Sequence, residues 1–204
     1  MEIIELFIDE TEELSGIDAI SVVSAPAIEE PFIALKDQEQ IRLAEVSKEK
    51  RLLIGAALIP DKPIYRKTDN QEFYIYFSKD TVEKASQMFL KSGKQGQATM
   101  EHASKKLEGM TVVESWLIVD DVHDKSRAYG LDLKVGTWMI TMKVENDEIW
   151  NDYVKTKKIL GFSIEGFFAD RLNKANNKLP DNYSEDDKLL KQIIDVLEES
   201  NTNA

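Results

Sequence analysis

Hydrophobic and polar positions divide the chain into short extended runs, with few segments of helical period. EIIELFID (2–9) alternates apolar residues with carboxylates, and IDAISVV (17–23) is β-branched; both predict strands. SAPAIEEP (24–31) carries two prolines in eight residues and predicts a fixed loop, with FIAL a short strand after it. Residues 36–50 are charged and open between helix and exposed loop. RLLIGAALIP (51–60) predicts a buried strand, with Gly55 marking a bulge or a close backbone approach. DKPIYRKTDN predicts a loop and EFYIYFS (72–78) an aromatic strand.

SKDTVEKASQMFLKSG changes period. Val82, Ala85, Met88 and Phe89 form a helical stripe, Ser78 or Asp80 can cap its start, and Gly93 can end it. TVVESWLIVDD (111–121) and VGTWMITMKV (135–144) predict strands around an acidic loop. NDEIWNDYVKTK predicts a short helix capped by Asn146 or Asp147, and LGFSIEGFFAD (160–170) a last strong strand. These elements imply a β-rich domain with a few helices over residues 1–170, arranged as α+β or as a partly closed barrel. A polar linker, 171–183, and an acidic amphipathic helix, 184–204, capped by Ser184 and striped by Leu189, Ile193, Val196 and Leu197, would follow. That helix must bury its stripe on the main domain or on a partner.

Composition narrows the function. The 204 residues are 42% apolar and 31% charged, which is globular. Zero cysteines exclude a disulfide framework, a thiolate nucleophile and a cysteine metal site, and two histidines cannot alone build a multi-histidine zinc centre. No metal or other cofactor is expected. A net charge of −12 argues against a nucleic-acid partner, and no apolar run is long enough to span a membrane. An intracellular chain is the expectation.

Candidate chemistry centres on KKILGFSIEGFFADRL, where Ser163 and Glu165 interrupt an apolar run and, in a strand, share one face. A serine becomes a nucleophile only when a base takes its proton. His102, in QATMEHASKK after a short strand, is a better base than His123, which sits in the acidic loop VDDVHDKSR. Gly161 and Gly166 flank the serine without side chains, leaving room for a substrate backbone. GFSIEG lacks the G-x-S-x-G spacing, and SGKQGQAT lacks the phosphate-loop spacing. Trp116, Trp138 and Trp150 fall in periodic segments and are expected in the core.

In this order, GAALIPDKPIYR, EFYIYFS, TMEH, VVESWLIVD, GTWMITMKV, IW and GFSIEG resemble blocks of the XkdF-type phage serine proteases, relatives of the prohead maturation proteases. The resemblance runs from about Ile17 to Asp170. It implies a mostly antiparallel, herpesvirus-assemblin-like β-barrel with peripheral helices. It also implies an endopeptidase working in the host cytoplasm, inside the assembling procapsid. Its substrates would be the scaffold, or an extension of the major capsid protein, and the enzyme itself, with self-association as a further expectation. Carried over by position, Ser163 is the nucleophile and His102 the general base. The third member is open between Glu165, Glu114, Asp18 and His123. Many relatives carry Asp after the histidine where this chain has Ala103. A catalytically inactive structural or scaffold-associated virion protein of the same fold is the alternative. IDAISVVSAPAIE resembles a segment that follows the serine in the prohead proteases. A circular permutation would bring that strand back beside Ser163, with Asp18 or the proline loop, a candidate oxyanion donor, near the site.

Overall fold

Extended backbone follows the β-branched and aromatic residues, whose bulk packs well on a pleated surface. A computed structural model describes residues 2–9, 15–28, 33–35, 50–67 and 71–170. All of these belong to one compact unit, Met1–Arg171. Most of the ambiguous stretch 36–50, the linker 171–183 and the helix expected over 184–204 lie outside the described residues.

The described residues form three small sheets. The first has the order β11-β1-β6-β5, from Ala169–Asp170, Glu2–Phe7, Glu72–Phe77 and Ile64–Lys67. The second is β10-β2-β7, from Gly161–Phe167, Gly16–Val23 and Ala98–Met100. The third is β3-β4-β9-β8, from Ile33–Leu35, Leu52–Leu58, Trp138–Val144 and Met110–Leu117. After Phe167 the chain leaves β2 and, one residue later, pairs with β1 as β11, so one extended run serves two sheets. Phe168 sits at this crossover, its ring edge-on to Phe77 at 4.8 Å.

The expected antiparallel barrel is corrected by this topology. No sheet closes on itself among the described residues, and two pairings, β1 with β6 and β2 with β7, are parallel. Closure requires every strand to be bonded on both sides with one consistent stagger. Here the ladders are short and broken by bulges that skip Asp18, Ala57 and Val113. A bulge bends its strand and interrupts pairing. The α+β character remains.

One helix, α1 (Lys79–Lys91), packs against β2, β8 and β9. Its buried face is Thr81, Val82, Ala85, Ser86 and Phe89. Ser78 precedes it in extended backbone, its hydroxyl against Thr81 Oγ1, and Gly93 breaks the chain away at φ +67°. Phe89 meets Trp138 edge-on at 5.5 Å, tying α1 to β9. The expected short helix after β9 is a π-helical segment, Ile149–Val154, begun by Asn146 Oδ1 accepting from Ile149 N at 3.0 Å. Lys155 N bonds Trp150 O at the five-residue interval of a π-turn. Trp138 and Trp150 are fully buried as expected, whereas Trp116 lies nearer the surface beneath Lys125 Nζ, 3.7 Å from its ring centre. DKPIYRKTDN, expected as a loop, contains β5. Its turn-forming residues mask an edge strand in which only Ile64 is buried. No helix among the described residues is long and apolar enough to cross a membrane.

Candidate active site

Strand alternation splits the second sheet into an apolar and a polar face. Phe162 and Ile164 on β10, opposite Val22 and Ile20 on β2, turn to the core side. On the other face Ser163 pairs with Ser21, which pairs in turn with Thr99 on β7. Three hydroxyl residues therefore stand side by side across three strands, with Glu165 two residues along β10 from Ser163. All three are buried; Ser163 keeps the most exposure, 7% against 0% for Ser21.

His102 follows β7 in a tight turn. Ala103 N donates to Met100 O at 2.9 Å, and the two central residues, Glu101 and His102, have φ of 50° and 58°. Positive φ at both central positions is the type I′ signature, ordinarily supplied by Asn and Gly because other side chains crowd the backbone there. β2 holds this strained turn. Glu101 N donates to Val22 O at 3.1 Å, His102 N donates to Ser21 Oγ at 3.0 Å, and Ser24 N donates to Glu101 Oε1 at 2.7 Å.

The turn aims the imidazole at Glu165. His102 Nδ1 is 3.3 Å from Glu165 Oε1, and the same oxygen accepts from Thr99 Oγ1. Burial pushes the Glu165 carboxyl up, but the hydrogen bonds from His102 and Thr99 and the electrostatic attraction of His102 outweigh it, holding it below the ordinary carboxylate range. Glu165 is thus ionised at neutral pH. With Nδ1 turned to the carboxylate, the imidazole's Nε2 faces away from it. No hydrogen bond joins His102 to the Ser163 hydroxyl.

The other candidates lie elsewhere. Glu114, on β8, takes the Thr141 hydroxyl and Lys125 Nζ at 3.0 Å; these bonds, opposed by partial burial, lower its pKa. Asp18 is the residue skipped by the β2 bulge and pairs with Lys94 Nζ at 2.9 Å. His123 is exposed and bonds Asp120 at 2.8 Å. Ser24 N, in the proline loop, is already engaged by Glu101. Gly166 does not open a path for substrate: a Cβ there would fall 2.0 Å from Gly16 O, so its missing side chain admits β2. Gly161 is buried opposite Val23. Ala103 offers no carboxylate, and the carboxylate against the imidazole is that of Glu165. Among the described residues no three metal-ligating side chains converge. Thr99 and Ser21 were not singled out from sequence; the only hint was a hydroxyl inside each apolar run.

A family model described as "Putative phage serine protease XkdF" matches residues 40–173. The chain belongs to this family. No curated protein and no solved structure matches the chain. The XkdF match takes in β7, the histidine turn and β10, hence Thr99, His102, Ser163 and Glu165. It begins after β2, so Ser21, Asp18 and Ser24 lie ahead of it.

Proposed function

We propose that the chain is a serine endopeptidase in which Ser163 is the nucleophile, His102 the general base and Glu165 the carboxylate that orients it. One observation carries this reading: Glu165 holds His102 Nδ1 on the sheet face that also carries Ser163. With Nδ1–H donated to Glu165, Nε2 is the nitrogen left to take the serine proton. The hydroxyl attacks the scissile carbonyl as Nε2 accepts its proton, and the imidazolium formed is stabilised by Glu165. Collapse of the tetrahedral intermediate breaks the C–N bond, and Nε2 returns the proton to the leaving amine. Water then repeats the sequence on the acyl-enzyme, releasing the carboxylic acid and restoring Ser163. By the family resemblance, the substrates are the scaffold or an extension of the major capsid protein, cut inside the procapsid in the host cytoplasm, and the enzyme itself.

One observation favours a second reading, an inactive virion protein of the same fold: the Ser163 hydroxyl makes no hydrogen bond to the imidazole. Catalytic hydrogen bonds often close only around substrate, so this weighs less than the His102–Glu165 pairing. Co-expression with the capsid and scaffold proteins separates the two. The wild type yields discrete truncations by intact mass, in its partners or itself, which Ser163→Ala and His102→Ala both abolish. Unchanged cleavage by Ser163→Ala removes the serine from the mechanism, and full-length masses throughout favour the inactive protein.

A further inference from the structure

The family match begins at residue 40, yet the strand that joins the two halves of the candidate site lies before it. β2 is the middle strand of its sheet, paired on one side with β10, which carries Ser163 and Glu165, and on the other with β7, which leads into His102. The histidine turn is strained at two successive non-glycine residues, and such a conformation persists only where its surroundings over-determine it. Three of its restraints come from β2 and the residue after it: Val22 O, Ser21 Oγ and Ser24 N. Of these, only Ser21 uses a side chain. That hydroxyl is fully buried and bonded to the amide of His102 itself.

We infer that Ser21 is a positioning residue for His102, and that β2 is thereby a working part of the site rather than an extension of it. On the peptidase reading above, Ser21 acts on the imidazole through the His102 backbone amide. With Ser21 Oγ absent, the His102 amide loses its acceptor, the turn relaxes from positive φ, and the imidazole swings from Glu165. Ser21 touches no substrate in this scheme and moves no proton. Its loss therefore falls on kcat and leaves KM in place.

Ser21→Ala is the test, since the smaller side chain fits the site that serine fills. Two measurements are made on the full chain: kcat and KM on the co-expressed substrate, and hydrogen exchange of the His102 amide in the Ser163→Ala background, where self-cleavage is blocked. The expected result is a kcat lower by about tenfold at unchanged KM, with His102 amide exchange faster by at least a similar factor. Wild-type kcat in Ser21→Ala overturns the inference, and so does unaltered His102 exchange, because Ser21 would then act on Ser163 across the strand pair. If the wild type cleaves nothing, the peptidase reading fails on that result alone, and amide exchange still decides whether Ser21 holds the turn.

Discussion

Replacing Gly166 with alanine isolates the contact on which the placement of Glu165 depends. A Cβ at this position would lie 2.0 Å from Gly16 O, 2.8 Å from Ile17 Cα and 2.9 Å from Gly16 C. All three are main-chain atoms of the paired strand, so no side chain can rotate away. Overpacking that side chains can absorb costs about 1–3 kcal/mol. Here relief requires opening the β10–β2 ladder past Glu165, losing the Gly166↔Ile17 and Phe167↔Gly16 pairings, and each hydrogen bond lost adds about 1 kcal/mol. The expected destabilisation is about 3 kcal/mol or more. In urea, with a slope of about 2 kcal/mol/M for a unit of this size, the unfolding midpoint falls by about 1.5 M. Gly93→Ala is the internal comparison. It has open space around it but φ of +67°, so it should cost only about 1–2 kcal/mol through backbone strain. A midpoint for Gly166→Ala within about 0.3 M of wild type, or above that of Gly93→Ala, would refute the close-approach argument.

Other outcomes follow from the site. Glu165→Gln should lower kcat by about 10²–10⁴-fold, since it leaves the imidazole without its charged partner; Glu114→Gln, whose contacts are Thr141 and Lys125, should leave kcat near wild type. Equal losses in the two variants would deny Glu165 its assigned role. Thr99→Val removes a donor that helps hold the Glu165 carboxyl below its ordinary range and should cost about 1.5–3 kcal/mol near neutral pH. A carboxyl depressed on folding stabilises above its unfolded pKa, and that contribution is lost as pH falls through the folded pKa. Without Thr99 the folded value rises toward the unfolded one, so the variant is already less stable at neutral pH, loses less on acidification, and its gap to wild type should narrow as the pH falls. Urea titrations in steps from about pH 7 to 3 would show it, and profiles parallel to wild type at every pH would count against the Thr99–Glu165 bond.

What was legible in the chain, and what was not, divides along physical lines. Period alone located β2, β4, β6, α1, β8, β9 and β10, because each buries a face wide enough to leave a pattern. β5 left none: it is four residues at an edge, written in turn-forming letters. Closure into a barrel was a different kind of error. Which strands pair, and whether a ladder runs on past a bulge, depends on partners far along the chain, and the bulges at Asp18, Ala57 and Val113 have no local signature. Ser163 and Glu165 were visible because they interrupt an apolar strand. Their neighbours Ser21 and Thr99 were not, since cross-strand register aligns them and register is not written in either strand. Gly166 was read correctly as a close approach but assigned to the wrong partner, substrate in place of β2. Glu114, one of the open third members, sits on β8 with its carboxylate on Lys125 and Thr141 and not on the imidazole.

The hydrogen bond from the His102 amide to Ser21 joins residues 81 positions apart, and that from Thr99 to Glu165 joins residues 66 apart. Contacts so distant in sequence form late, after much chain entropy has been spent. During synthesis β2 and the histidine turn leave the ribosome well before β10, and until β10 docks neither Ser163 nor Glu165 is in place beside the imidazole. The order of residues along the chain thus acts as a timer. On the proposed peptidase reading, a nascent or half-folded copy lacks a competent site, and cutting power arrives only once β10 has docked.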